Sequence, residues 1–234
     1  MYKSISVSNL SQEIHNALNI IVGYAELQLI SKELDLSDVH SFNKEVISAS
    51  FRIRNITKAL CDLIHIEQHG IVLNLDRCNL DDVIADSIFA AKLHANEKNV
   101  DIKSKISGLT AIADRTQLIQ IIENLITYGI RHSRDDTYIQ IEAHEISKNF
   151  VNISVTDNGY GIDGDAQADV FKLFARTNNL YANHTTGLGV GLALARALIG
   201  NMNGSINFVS NKGIGTTFTL TLPNGTQEER QGYE

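Results

Sequence analysis

The sequence predicts an all-α helical hairpin followed by an α/β sandwich with helices on one face of a mixed sheet. Three observations predict it. The first 67 residues carry helical apolar spacing, with a heptad seam in the second half. Beyond residue 71, segments with period-two alternation are interleaved with amphipathic helical patterns. A length of 234 residues, at about 150 residues per domain, leaves room for one large and one small unit.

In the hairpin, apolar residues recur at Leu10, Ile14, Leu18, Ile21 and Ala25. Steps of three and four place them on one stripe of a helix. A second series runs Phe42, Val46, Ala49, Ile53, Ile56, Leu60, Leu63, alternating four and three without a miss. The segment between them breaks the pattern, and Ser37 or Asp38 is expected to cap the second helix. Residues 8–68 form this first domain. Two helices of about 25 residues, each about 37 Å long, cannot hide both stripes from water by themselves. A homodimer making a four-helix bundle is the economical solution; packing against the rest of the chain is the alternative.

Residues 71–223 form the second domain. Ile71 to Leu75 reads as a short extended segment, and Asn79 or Asp81 starts a helix that runs to about His94. A strand is expected from Val100 to Ile106, a helix from Thr116 to His132, and strands at Tyr138–His144 and Asn152–Thr156. Gly191 to Met202 is a helix, and Ser205–Val209 with Thr216–Leu222 closes as a hairpin. Residues 224–234 are a polar tail expected to be disordered, and there are no internal repeats.

Composition excludes several function classes. Hydrophobic residues make up 43% and charged residues 20% of the chain, as in ordinary globular domains. A net charge of −7 leaves no basic footprint for nucleic acid. No stretch approaches a transmembrane length, so no membrane span is expected. Cys61 and Cys78 do not make a disulfide framework. Together these predict a cytoplasmic protein.

Three constellations carry chemistry. Asp157-Asn158-Gly159-Tyr160-Gly161 directly follows a strand. It offers a carboxylate to an exocyclic amine such as that of adenine, and a backbone that approaches a ligand closely. The alternative is a plain Asp-Gly turn. Gly187-Leu188-Gly189-Val190-Gly191 precedes a helix, where backbone N–H groups can hold an anion; the alternative is a hinge. Asn124, Tyr128 and Arg131 fall at i, i+4 and i+7 on one helix face, bordering a pocket or facing solvent. The eight histidines show no metal-ligand spacing, so no metal site is expected.

In order, the Asn-containing helix, the Asp-x-Gly-x-Gly turn, Val170 to Phe174, the triple-glycine turn and Gly213-Ile214-Gly215-Thr216-Thr217-Phe218 resemble the ATP-binding domain of the histidine kinases. That domain is shared with gyrase, chaperone and mismatch-repair ATPases. Ser11 to Leu27 resembles the dimerisation and phosphoacceptor helix of the same family, and Arg52 to Gln68 its second helix. The resemblance covers roughly residues 8–223. It implies an α/β sandwich of the histidine-kinase ATPase type, ATP or ADP as cofactor, and a response regulator receiver domain as partner. It implies nucleotide contacts at Asn124, Tyr128, Arg131, Asp157, Gly159, Gly161, Gly187, Leu188, Gly189, Gly191 and Thr216.

The departures from the family are as informative. Gln12 stands at the phosphoacceptor position, and a side-chain amide is a very poor nucleophile. Tyr128 stands where the family has the Asn that holds Mg²⁺, which disfavours the metal and weakens phosphoryl transfer. Ala17 replaces a helix-kinking proline common in these kinases. The resemblance therefore implies a degenerate kinase impaired in autophosphorylation. Three alternatives stand beside it: a phosphotransfer protein using His15, a regulator phosphatase using Glu13 and Asn16, and a residual Mg-dependent kinase or ATPase. Only about seven residues precede the hairpin, so the input is expected from a partner or from outside this sequence. A short lid from Ala175 to Thr186 is expected beside the nucleotide.

Overall fold

The computed structural model describes residues 7–31, 34–69, 72–134, 137–172, 189 and 191–225. The chain divides into two compact units, Met1–Gly70 and Ile71–Glu234. Among the described residues, no helix is long and apolar enough to cross a membrane.

The first unit is two helices, α1 (Val7–Ile30) and α2 (Leu36–His69). The start of α2 corrects the expected cap. Asp35 Oδ1 accepts from the Asp38 N–H at 2.8 Å, while Asp38 Oδ2 accepts from the Asp35 N–H at 3.4 Å. The cap is thus Asp35, and Asp38 is its reciprocal partner three residues on, a capping box built from two aspartates. Its early position gives α2 34 residues, longer than its apolar seam alone indicated. Along the described part of the heptad seam, Ala49 and Ile56 are buried, and Phe42 packs against Tyr24 with ring centroids 5.1 Å apart; the side chains of Leu60 and Leu63 lie outside the described residues. On α1 the buried line is displaced from the expected stripe. Ala17 is completely buried, whereas Leu18 is 44% exposed. Val22, Leu27, Leu29 and Ile30 also stay exposed. The small Ala17 lets α2 lie close on that side, and the larger apolar residues fall on a face that α2 does not cover.

The second unit holds a two-stranded antiparallel ribbon, β1 (Asp76–Asn79) with β3 (Thr110–Ala113). Beside it is a five-stranded mixed sheet of β2 (Asp101–Lys105), β4 (Tyr138–Ser147), β5 (Phe150–Asp157), β6 (Ser205–Asn211) and β7 (Gly215–Pro223). The order is β2-β4-β5-β7-β6, with β2 parallel to β4 and the rest antiparallel. The helices are α3 (Leu80–Glu97), α4 (Arg115–His132), the single turn α5 (Gly164–Gln167) and α6 (Gly191–Asn201). Residues 72–75, expected to be extended, have no regular structure; the strand begins at Asp76 because it pairs Asp76 with Ala113 and Asn79 with Thr110. Asn79 caps α3 by accepting from the Asp81 N–H, and Asp114 caps α4 by accepting from the Gln117 N–H.

Alternation along the strands decides what faces inward. Val151, Ile153 and Val155 of β5 are buried, opposite Leu222, Leu220 and Phe218 of β7. Leu118, Ile121, Ile122, Leu125 and Ile126 of α4 are also buried. The other face of the sheet is polar, with Thr156 and Thr217 hydroxyls 3.0 Å apart. The same parity that buries Val155 carries Asp157, two residues on, to the inner face. A carboxylate thereby ends a row of aliphatic side chains.

Candidate functional site

Asp157 is 5% exposed. Its Oδ1 accepts from the Gly159 N–H at 2.9 Å and from the Thr216 N–H at 3.3 Å. Thr216 is its register partner across β5 and β7. Burial pushes the Asp157 pKa up to about 6, against the opposing pull of those two backbone donors. Among the described residues the donors to Asp157 meet Oδ1, which leaves Oδ2 to accept from something else.

The two glycines after Asp157 allow a close approach within the protein itself. A Cβ on Gly159 would lie 2.2 Å from the His132 carbonyl oxygen, and one on Gly161 would lie 2.1 Å from that of Asn211. Gly161 also holds φ +65°, where side chains are strained. The close approach these residues permit is to the protein's own backbone. The Tyr160 N–H donates to the His132 carbonyl, and the Gly213 N–H donates to the Tyr160 carbonyl at 2.7 Å. The Ile162 N–H donates to Ser210 Oγ, which lies 2.9 Å from Thr216 Oγ1. Arg134 lies over the Tyr160 ring and donates to the Gly213 carbonyl. The loop after β5 is therefore clasped between the end of α4 and the β6–β7 turn.

The three polar residues of α4 share a face but turn to different neighbours. Asn124 donates from Nδ2 to the Gly191 carbonyl at 3.5 Å, linking α4 to the first residue of α6. Arg131 is half-buried, and burial lowers its pKa; Lys98 donates to its main-chain carbonyl. Arg131 lies beside His132, whose pKa burial lowers first and the Arg131 charge lowers further. Tyr128 stacks on His132 with centroids 4.1 Å apart and 25° between planes, and meets Phe218 edge-on at 5.3 Å. Its hydroxyl is buried without a hydrogen-bond partner among the described residues. Burial, and next the charge of Asp157, push its pKa up and keep it a neutral phenol. An unpartnered buried hydroxyl costs roughly 1–3 kcal/mol, which the ring's packing must offset.

The structure thus brings Tyr128, Asp157, Gly159, Gly161 and Thr216 together, and joins Asn124 to Gly191. Arg131 meets Lys98 through its main-chain carbonyl, and its charge acts on His132. Gly189 adopts φ +64°. Gly187, Leu188 and the lid from Ala175 to Thr186 lie outside the described residues, as do Leu173, Phe174 and residues 226–234. His132 and Phe218 were not singled out as site residues. His132 was within reach of sequence reasoning, because it stands one helical turn after Tyr128.

On α1, Gln12, His15 and Asn16 are all exposed. His15 Nδ1 lies 2.7 Å from the Ser11 carbonyl, which can only accept, so the neutral imidazole that fits this contact is the tautomer with Nδ1 as donor and Nε2 as acceptor. The backbone of Glu13 lies within α1.

Comparison with known proteins agrees with this architecture. Residues 113–226 match the family described as histidine kinase-, DNA gyrase B-, and HSP90-like ATPase. The sensor-like histidine kinase SenX3 of Mycolicibacterium smegmatis is 29% identical over 229 residues, covering 97% of this chain and 59% of its own. The heme sensor protein HssS of Staphylococcus saprophyticus is 29% identical over 218 residues, covering 92% of this chain and 45% of its own. The chain thus spans little more than half of the first relative and less than half of the second. Among solved structures, the histidine kinase AdeS of Acinetobacter baumannii superposes with a TM-score of 0.69 at 20% identity, over 90% of this chain and 96% of that one. The histidine kinase ThkA, in complex with the response regulator protein TrrA, superposes with a TM-score of 0.73 at 21% identity, over 93% of this chain and 60% of that one. Residues 113–226 thus carry a domain of the histidine kinase-, DNA gyrase B-, and HSP90-like ATPase type, and the chain is similar to sensor histidine kinases over nearly its whole length.

Proposed function

We propose that this chain is a two-component signalling protein on a histidine kinase core that has lost autophosphorylation. The observation that carries this reading is Gln12. It stands exposed on α1, the resemblance assigns it the phosphoacceptor position, and its amide has neither the nucleophilicity nor the imidazole that accepts a phosphoryl group. In this reading the hairpin binds a response regulator receiver domain and forms a homodimer through the apolar face of α1 that α2 leaves open. The ThkA–TrrA complex supports the choice of partner.

Adenine nucleotide fits this site in part. Asp157 Oδ2 is placed to accept from an exocyclic amine, with Thr216 beside it. Mg²⁺ does not fit at Tyr128. A neutral phenol is a poor ligand for a hard cation, and the bulk of the ring fills the place of a compact amide. In the family, that metal supplies charge stabilisation for phosphoryl transfer. Incubating the full chain with γ-labelled ATP and Mg²⁺ tests the proposal. No label on the protein is expected; strong incorporation would overturn it.

The tautomer of His15 favours a second reading. With Nδ1–H committed to the Ser11 carbonyl, the exposed Nε2 is the atom able to take a phosphoryl group from a phosphorylated regulator. Acid-labile label passing from regulator to chain, and lost in His15→Ala, would establish relay; no transfer would dismiss it. Regulator phosphatase activity through Glu13 and Asn16 is read in the same assay, as free phosphate released faster by wild type than by Asn16→Ala.

A further inference from the structure

The surroundings of the Tyr128 ring are those that a purine base requires. A flat ring is stacked on one face against His132 at 4.1 Å, and its edge meets Phe218 at 5.3 Å. Its polar end is buried without a hydrogen-bond partner among the described residues. The Asp157 carboxylate acts on it electrostatically. Gly129, the next residue along α4, fixes how near this part of the helix lies: a Cβ there would stand 3.3 Å from Asp157 Cβ. One aromatic face, one aromatic edge and one carboxylate with an uncommitted oxygen make a slot for a planar heterocycle bearing an amine. In this chain a planar ring already lies in it.

We propose that the Tyr128 phenol occupies the purine slot beside Asp157, so that the chain's own side chain closes the site to adenine nucleotide. The proposal rests on the reading of Asp157 as the acceptor for the base. It extends that reading from a missing metal ligand to a filled base site. Two features make the ring a removable plug. Among the described residues its hydroxyl makes no hydrogen bond, and the ring is held by stacking and edge contacts. Its neighbours are themselves fastened: His132 Nδ1–H donates to the Tyr128 carbonyl at 2.8 Å, and Asp157 is held by the Gly159 and Thr216 N–H groups. Removing the ring leaves an aromatic face and a carboxylate in position. Whatever displaces Tyr128, a docked partner included, would open the site to nucleotide.

The test is a titration of the full chain with ADP carrying a fluorophore on its ribose, which leaves the base unmodified, in the presence of a chelator. Tyr128→Ala is expected to bind at least about tenfold more tightly than wild type. Tyr128→Phe, which keeps the ring, is expected to bind as weakly as wild type. Adding Asp157→Asn to Tyr128→Ala is expected to abolish the gain. If wild type binds and Tyr128→Ala binds no more tightly, the plug is refuted while Asp157 keeps its role. Tyr128→Phe binding as tightly as Tyr128→Ala would also refute it. If no folded variant binds, the plug and the reading of Asp157 fall together. Tyr128→Asn carries the same test should the alanine variant unfold.

Discussion

Asp157 shows how one residue's place in an alternating strand sets its chemistry. Parity buries it after Val151, Ile153 and Val155, and burial lifts its pKa from 3.8 to about 6. The native state then binds more protons than the unfolded chain between those two values, so this group's contribution to stability falls as pH rises through that window. Above pH 6 the ionised carboxylate opposes folding by about 2–3 kcal/mol, at 1.36 kcal/mol per unit. Asp157→Asn keeps an oxygen for the Gly159 and Thr216 N–H groups and carries no charge. It should therefore raise the melting temperature at pH 7.5, with the gain shrinking toward pH 4. Scanning calorimetry across that range checks the sign. A gain that grows on acidification would mean the carboxylate is stabilised rather than penalised by its surroundings.

At the scale of elements, the loop after β5 depends on close backbone contacts. Gly161→Ala puts a methyl 2.1 Å from the Asn211 carbonyl oxygen at a positive φ. It should cost roughly 3 kcal/mol or more in urea unfolding of the α/β unit. Gly164→Ala, whose Cβ would meet nothing within 4 Å, is the control and should lie within about 0.5 kcal/mol of wild type. Much of this level was legible in the sequence. The long helices and β5 through β7 follow from apolar spacing, and Asp157 was read as the carboxylate of the site. The misread elements have local causes. Ile71 to Leu75 is apolar enough for a strand, but β1 is placed by its pairing with Thr110–Ala113, a four-residue strand too short to stand out. The start of α2 was misplaced because Asp35 and Asp38 are both capping types, and only the reciprocal geometry tells which is the cap. The packing of Tyr128 between His132 and Phe218 joins residues 90 apart in sequence (218 − 128). No local pattern reports it.

At the scale of the whole molecule, the two compact units differ in how they meet water. The α/β unit buries an aliphatic core between sheet and helices but leaves Phe89, Leu93 and Val209 exposed, scattered over α3 and β6, whereas the exposed Leu18, Val22, Leu27, Leu29 and Ile30 of the hairpin all lie on the single helix α1. If a second copy covers that face, calorimetry should show two transitions, and only the hairpin's should rise with protein concentration, because association stabilises by mass action. Transitions that both ignore concentration would argue for a monomer. The clasp around Gly159 and Gly161 reaches across the second unit, tying α4, β5 and the β6–β7 turn at points far apart in sequence. It changes what such a glycine signature reports. A substitution at either position would disturb the fold before it touched any ligand. The motif is therefore a record of architecture: these glycines answer first to the clasp, and their presence reports the fold of the loop rather than chemistry at the site.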